Sequence, residues 1–267
     1  MTSRWLLPLQ GILIREALRF LQQRERFFAA LVRPVIWLVI FATGLRAAMG
    51  GNLAGPDGQP IPYELYIAPG LCAMVQLFNG MQSSLSLVYD REMGSMRMLL
   101  TTPLPRWYLI FCRLLAGTVV SILQVYAFLI VALLFGVAIP WAGLIAVLPA
   151  LVLTGLMLGS LGLLLAARIR QLENFAGIMN FVIFPMFFLS PALYPLDGMR
   201  ASSEVLYWLA QINPFTHAVG LLRGALHAGL DAAALGFTLI ALAIAGGFAM
   251  WAYTPARGLR GGGPPGR

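Results

Sequence analysis

The sequence predicts an all-α integral membrane protein with six transmembrane helices. Hydrophobic residues make up 60% of its 267 residues and charged residues only 10%, whereas soluble domains carry about 25% charged residues. A bilayer span needs roughly 20 apolar residues, and six long apolar stretches fill most of the chain. Because little sequence is left for a soluble domain, we treat residues 1–267 as a single membrane domain.

An amphipathic helix precedes the six predicted spans. Between residues 4 and 30, arginines and apolar residues are mixed at helical spacing, which is typical of a helix lying in the membrane interface. We assign this helix to residues 1–31, the spans to 32–254 and a basic, glycine- and proline-rich cytoplasmic tail to 255–267. The predicted spans cover about 32–49, 63–88, 107–138, 143–167, 175–194 and 232–253.

Turn-forming residues separate these spans. Residues 50–62 are rich in glycine and proline and predict a loop, and Pro140 with Trp141 predicts a tight turn. Residues 195–231 are too polar for a span and too apolar for a free loop. They predict a re-entrant segment before the last span, buried in protein or lining a cavity, with an ordinary outer-surface loop as the alternative. Within it, Asn213 is expected to cap a helix, since proline follows it at the first helical position.

The distribution of arginine predicts the orientation in the membrane. If the N-terminus is cytoplasmic, 15 arginines lie on the cytoplasmic side and three, Arg46, Arg200 and Arg223, on the other. An excess of positive charge marks cytoplasmic loops. We therefore expect both termini, and the charged connection between the second and third spans, to face the cytoplasm.

Composition also argues against several functions. All 18 basic residues are arginine, so the chain lacks the lysine with which a P-loop holds nucleotide phosphates. Cys72 and Cys112 lie in or beside apolar stretches and are expected to be small buried side chains. His217 and His227 have no carboxylate or cysteine at ligand spacing, so we expect His217 to be a hydrogen-bonded structural residue. No catalytic group of residues is evident, and we expect no cofactor bound by this chain.

The connection between the second and third spans concentrates the rare charges. Residues 89–113 hold four arginines, one aspartate and one glutamate. Residues 95–101 are expected to form a short amphipathic helix that prolines end. Another protein could displace a short stiff helix between two spans, and the helix would transmit that movement to both spans. Composition alone favours the alternative, a solvated loop that only fixes topology.

Polar and small residues inside the spans have two interpretations each. Polar groups in a membrane are costly and usually face the protein interior, where they either line a transport path or join helices. The candidates are Gln76, Asn79 and Gln82 on one face of the second span, and Asn174 and Asn180 on the fifth. The glycines at 155, 159 and 162 favour close helix packing, with a dimer contact as the weaker alternative.

Two motifs lie in order on this six-span frame. The first is D-R-E-x-G-x-x-x-x-L-x-x-x-P-L-x-R-W, from Asp90 to Trp107. The second is residues 206–226, with Asn-Pro-Phe-Thr-His followed by Arg223, and a Tyr-Pro-Leu triplet lies upstream. Together the two motifs resemble the type-2 family of ABC exporter permeases. The chain is most similar to the branch of nodulation lipo-oligosaccharide and antibiotic export permeases, and the resemblance covers essentially its whole length.

The resemblance implies the membrane subunit of an ABC exporter in the inner membrane, most simply a homodimer. A separate ATP-binding subunit would hold ATP and Mg, and the substrate would be amphiphilic, lipid-linked or glycan-type. Residues implied in coupling to that subunit are Asp90, Arg91, Glu92, Gly94, Met96, Arg97, Leu99, Leu100, Pro103, Leu104 and Arg106. Those implied in the re-entrant outer gate are Tyr194, Asn213, Pro214, Phe215, His217 and Arg223.

Two other classes of protein remain open from the sequence. A secondary transporter or channel not driven by ATP would need ionisable residues buried in its spans, and few are present. An accessory membrane protein without a transport role is the third alternative. A neighbouring gene for an ATP-binding subunit would favour the exporter over both.

Overall fold

The structure is a computed structural model that describes residues 3–22, 24–48, 52–54, 59–92, 105–169, 171–227 and 229–252. Those residues form ten α-helices and one two-stranded antiparallel ribbon. The helices, in chain order, are α1 Ser3–Gln22, α2 Arg24–Ala48, α3 Tyr63–Glu92, α4 Arg106–Leu134, α5 Trp141–Arg168, α6 Leu172–Phe188, α7 Leu196–Ser202, α8 Glu204–Ile212, α9 Pro214–Leu226 and α10 Ala232–Ala252. The strands are β1 Asn52–Ala54 and β2 Pro60–Pro62.

A helix occupies each of the six predicted spans, namely α2, α3, α4, α5, α6 and α10. Among the described residues, three helical stretches are long and apolar enough to cross a membrane: Trp107–Leu134, Trp141–Arg168 and Ala232–Ala252. Helix α6 is apolar but short, and glutamine, asparagine and serine residues reduce the hydropathy of α3. The predicted all-helical membrane protein is therefore supported, and the count of six spans stays a prediction.

Several predicted boundaries differ from the structure. Residues 50–62 are not only a loop, because Leu53 pairs with Ile61 in the β1–β2 ribbon. Helix α2 begins at Arg24, before the predicted boundary at residue 31. Helix α4 ends at Leu134 instead of 138, since Gly136 turns the chain with a φ of 86°. Helix α6, in the fifth predicted span, ends at Phe188 instead of 194, because Pro191 cannot continue a helix.

The exposed side of α1 carries the apolar face expected of an interfacial helix. Leu7, Ile14 and Leu18 are all exposed, and their spacing places them along one side of the helix. Helix α1 packs against α4 and α2. An apolar stripe directed away from the bundle agrees with the predicted position in the membrane interface.

Helix α3 forms the centre of the bundle and packs against α2, α4, α5, α6 and α9. Glycines permit the closest approach. A Cβ added at Gly80 would lie 2.9 Å from the Cα of Gly159, and one added at Gly162 would lie 2.8 Å from the carbonyl oxygen of Gly80. The predicted close packing of the glycine-spaced helix is confirmed, and its partner is α3 of the same chain.

Helices α7, α8 and α9 fold over one end of the bundle, which we call the Tyr63 end after the first residue of α3. The opposite end is the Glu92 end. A Cβ added at Gly70 would lie 2.7 Å from the backbone of Ala192, and one at Gly143 would lie 1.8 Å from the carbonyl oxygen of Leu226. The backbone at Ala192 therefore packs closely against α3, and the end of α9 packs closely against α5.

Candidate functional site

The candidate coupling segment begins at the Glu92 end of the bundle. The structure places Asp90, Arg91 and Glu92 in the last turn of α3, and Arg106 at the start of α4. Pro105 precedes α4 in an extended conformation, as expected for a proline at a helix start. The remaining predicted coupling residues lie outside the described residues: Gly94, Met96, Arg97, Leu99, Leu100, Pro103 and Leu104.

Glu92 connects this segment to a third helix. Its Oε2 accepts a hydrogen bond of 3.1 Å from the backbone N–H of Leu172, the first residue of α6. The first N–H groups of a helix have no partner within the helix, and a carboxylate there also complements the helix dipole. The connection between α3 and α4 is thus tied to α6 as well. Sequence reasoning placed Glu92 in the coupling segment but missed this bond, since 80 residues separate the partners.

The polar residues of α3 join helices inside the bundle. Gln76 is 1% exposed. Its Nε2 donates to the carbonyl oxygen of Leu151 at 2.7 Å, and its Oε1 accepts from the hydroxyl of Thr154 at 2.6 Å. The amide of Asn79 donates to Gln124 on α4. Both side chains therefore face α4 and α5, and each joins two helices.

The other predicted path residues lie elsewhere. Gln82 is half-buried on α3, and Asn174 and Asn180 are exposed on α6. Asn174 donates to the side chain of Gln171 within its own helix start. The structure does not gather the five predicted residues into one polar surface, so their role in a path stays a prediction.

A polar cleft between α3, α4 and α5 was missed by sequence reasoning. Its lining includes Ser83, Ser84, Arg113, Thr118 and Ser121. The hydroxyls of Ser84, Thr118 and Ser121 donate to carbonyls of their own helices. The cleft is narrow, with room for water but not for a larger ligand. Its polar residues come from different helices, so no spacing along one helix could have revealed it.

Asn213 is the principal connector at the Tyr63 end. Its Oδ1 accepts from the N–H of Phe215 at 3.0 Å, which confirms the predicted cap of α9, and Pro214 is the first helical residue. Its Nδ2 donates to the carbonyl oxygens of Met186 and Leu189, at 2.7 and 2.8 Å. The last carbonyls of a helix lack partners within it, so this buried side chain joins the end of α6 to the start of α9.

Arg223 holds the same end together from the other side. Its Nη2 donates to the carbonyl oxygen of Pro191 at 2.6 Å, and its guanidinium carbon lies 4.0 Å from the centre of the Tyr66 ring. Burial lowers the pKa of Arg223 from its usual range, and the neighbouring Tyr66 opposes this shift. Arginine stays protonated in proteins, so a buried positive charge links α9, α3 and the turn after α6.

The remaining gate residues pack around these two. The Nε2 of His217 lies 2.8 Å from the carbonyl oxygen of Gln211, and its ring stacks on Phe237 at 3.7 Å, so it is the predicted hydrogen-bonded structural residue. Phe215 is fully buried. The hydroxyl of Tyr194 donates to the carbonyl of Phe188. All six predicted gate residues lie in or beside α9 and the turn after α6.

An aromatic cluster, which sequence reasoning also missed, joins α2 to α6 and α9. Trp37 lies 5.6 Å from Phe187 and 5.9 Å from Phe188 between ring centres. Phe41 packs on Trp37 at 4.9 Å, and Phe215 lies 6.0 Å from Phe187. The spacing of these aromatic residues along the sequence does not indicate which of them are in contact. The cluster is therefore recognised only from the three-dimensional structure.

Long apolar helices packed around a hydrophobic core that includes hydrogen-bonded polar residues, with a charged connection at one end, define a multi-pass membrane protein. Residues 9–227 match the family model described as ABC-2 type transporter. The chain therefore belongs to the ABC-2 type transporter family and is a membrane permease subunit of an ABC transporter, as its two motifs predict.

Three similar proteins include two whose names describe transport permeases. The chain is 25% identical over 209 residues to the transport permease ycf38 of Cyanophora paradoxa, covering 76% of this chain and 70% of that protein. It is 25% identical over 206 residues to Nodulation protein J of Rhizobium leguminosarum bv. viciae, covering 76% and 77%. It is 29% identical over 159 residues to the multidrug ABC transporter permease YbhR of Escherichia coli K12, covering 58% and 43%. Membership of the predicted family is thus confirmed.

Gln76→Leu is expected to reduce the free energy of unfolding by about 1 kcal/mol, since interhelical hydrogen bonds in membranes contribute about 0.6 kcal/mol each. Melting can be followed with a thiol-reactive dye, because Cys72 and Cys112 are both buried and become reactive on unfolding. Gln82→Leu, at a half-buried position, is the matched control and should change stability less. Unchanged melting together with lost transport would instead assign Gln76 to a path.

Proposed function

We propose that this chain is the membrane half of an ATP-driven exporter in the inner membrane. Two copies assemble with two separate ATP-binding subunits, which hold ATP and Mg. The complex moves an amphiphilic, lipid-linked or glycan-type substrate out of the cytoplasm or the inner leaflet. Family membership implies the ATP-binding partner, and the arginine distribution supports cytoplasmic termini.

The observation that carries the proposal is the bond from Glu92 to Leu172. A push from an ATP-binding subunit on residues 93–104 would reach α3 and α4 through the chain itself. It would reach α6 through the Glu92 carboxylate, which caps that helix. Three helices then respond to one contact, which suits a rigid-body switch driven from outside the membrane.

The outer gate follows from the same connections. Helix α6 ends at the Asn213 amide, and Asn213 also starts α9. Movement of α6 is therefore transmitted to α9 and to the turn held by Arg223. A displacement received at the Glu92 end would in this way alter the packing at the Tyr63 end.

Glu92→Ala is expected to reduce substrate-stimulated ATP hydrolysis several-fold while leaving membrane insertion and complex formation intact. The reason is loss of the acceptor at the start of α6. Glu92→Gln keeps a carbonyl acceptor and should retain most coupling. Glu173→Ala, in the first turn of the same helix, is the control and should behave like the wild type. Equal losses in Glu92→Ala and Glu92→Gln would indicate that the charge, not the cap, matters.

The decisive experiment is purification of the chain from its native membrane with identification of co-purifying proteins. An ATP-binding subunit recovered in equal amounts is the expected result. Arg97→Glu, in the candidate coupling segment, should weaken that recovery. A chain that purifies alone even after mild crosslinking would contradict the proposal and favour a secondary transporter or an accessory role.

A further inference from the structure

One arginine lies halfway along the bundle. The guanidinium carbon of Arg33 on α2 lies 3.8 Å from the centre of the Phe78 ring. Phe78 is in the middle of the 30-residue helix α3, which is about 45 Å long. If α3 crosses a hydrocarbon core about 30 Å thick, its midpoint lies inside that core whichever end projects. Arg33, which the arginine distribution placed on the cytoplasmic side, then lies at membrane depth.

This arginine is on the surface of the single chain. Arg33 is exposed, and so are the neighbouring apolar residues Val32 and Ile36. Charged side chains in a membrane face a protein interior or a water-filled cavity, because contact with lipid tails is too costly. The surface of α2 around Arg33 must then face a partner copy or a water-filled cavity in the assembled protein.

The charge of Arg33 is not balanced within the described part of the chain. A guanidinium carries five N–H donors and is always protonated. Among the described residues, Arg33 has no hydrogen-bond acceptor and no carboxylate within ion-pair distance, and its partner is the face of the Phe78 ring. An aromatic face attracts a cation but accepts no planar pair of hydrogen bonds. No described residue therefore takes up the hydrogen-bond donors of Arg33.

The side chains on the two sides of Arg33 differ in polarity. Toward the Glu92 end, Gln82 and Ser86 follow Phe78 at successive turns of α3 and are half-buried and exposed. Toward the Ala48 end of α2, Trp37 lies one turn beyond Arg33 and closes on Phe187 and Phe188 of α6. Polar side chains of α3 thus lie between the Glu92 end and Arg33. On the other side of Arg33, aromatic side chains fill the space between α2 and α6.

We propose that Arg33 binds the anionic group of the transported amphiphile, a phosphate, sulfate or carboxylate, while its apolar chain lies along Val32 and Ile36. This assignment rests on the proposed export function, and it predicts that the substrate is negatively charged. Guanidinium pairs with such groups through two parallel hydrogen bonds. The aromatic cluster then acts as the barrier that the anion must pass when the outer end opens.

The test uses the permease purified with its ATP-binding subunit and two fluorescent probes of equal chain length. One is lysophosphatidic acid, which is anionic, and the other is the corresponding monoacylglycerol, which has no anionic group. We expect Arg33→Gln to weaken binding of the anionic probe by about tenfold or more, as for loss of a charged hydrogen-bond partner. Binding of the uncharged probe should change less than about twofold, which also shows that the variant is folded. Arg33→Lys should retain much of the anionic preference.

Arg200→Gln is the matched control, since Arg200 also lies over an aromatic ring, that of Tyr207 at 5.4 Å, but outside the predicted spans. It should bind both probes like the wild type. Equal affinity of the wild type and Arg33→Gln for the anionic probe would overturn the assignment, as would an equal loss for both probes.

ATP separates transported cargo from a resident lipid. Addition of ATP should release the anionic probe from the wild-type complex, because the site empties during export. A probe that stays bound during ATP hydrolysis would mark a structural lipid and overturn the assignment to substrate. Failure of the broader export proposal looks different, since no ATP-binding subunit would then co-purify and no ATP would be hydrolysed.

Discussion

Replacing Gly143 with alanine is expected to lower the melting temperature of the purified protein by roughly 4–12 °C, corresponding to about 2–3 kcal/mol. A Cβ at this position would lie 1.8 Å from the carbonyl oxygen of Leu226. The Cβ is fixed directly to the α5 backbone, and the oxygen belongs to the α9 backbone. Neither atom can therefore move aside as the end of a flexible side chain would. The start of α5 and the end of α9 must separate.

The control for this substitution is Gly177→Ala on α6. Nothing lies within 4 Å of a Cβ built at Gly177, and alanine is the better helix former by about 1 kcal/mol. Its melting temperature should stay equal or rise slightly. The buried cysteines Cys72 and Cys112 report both melts through a thiol-reactive dye. Equal stability of the two variants would contradict the close packing of α5 against α9.

Asn213→Ala is expected to reduce the free energy of unfolding by about 3–5 kcal/mol. It should also abolish transport, because α6 is no longer linked to α9. The substitution removes a helix cap, which contributes about 0.5–2 kcal/mol. It also removes the donor to two carbonyls at the end of α6, and buried groups left without partners cost about 1–3 kcal/mol each. Thermal melting and transport in proteoliposomes measure the two effects.

Two variants separate the roles of Asn213. Asn213→Asp keeps the acceptor for Phe215 but sets a carboxylate oxygen against the carbonyls of Met186 and Leu189. It should be as damaging as alanine if the link to α6 dominates. Ser203→Ala removes the exposed cap of α8, whose hydrogen bond measures 3.5 Å, and should cost about 1 kcal/mol or less. A loss in Asn213→Ala no larger than that of Ser203→Ala would show that Asn213 is only a cap.

Local signals identified much of this protein correctly. Apolar runs located a helix in each of the six predicted spans, because hydropathy depends on composition within a short window. Asn213 before Pro214 predicted a helix cap that the structure contains. The two motifs identified the family that residues 9–227 match. In each case the relevant residues lie within a few turns of one another.

Errors and omissions arose where distant residues meet. The ends of α4 and α6 were placed too late, since the apolar pattern continues past the turns at Gly136 and Pro191. The β1–β2 ribbon was missed because glycine and proline suggest a loop and do not specify strand pairing. Gln76 and Asn79 share a helix face in the sequence, yet only the packing of α4 and α5 around α3 showed that both join helices.

The sequence by itself determined a helical membrane permease, its family and the segment expected to meet an ATP-binding subunit, because these depend on composition and on motifs contiguous along the chain. The tertiary structure alone decided which helices that segment is tied to and where Arg33 lies along the bundle. Glu92 meets Leu172 across 80 residues, and Arg33 meets Phe78 across two helices. Such contacts depend on how helices pack, and no periodicity within one helix encodes them.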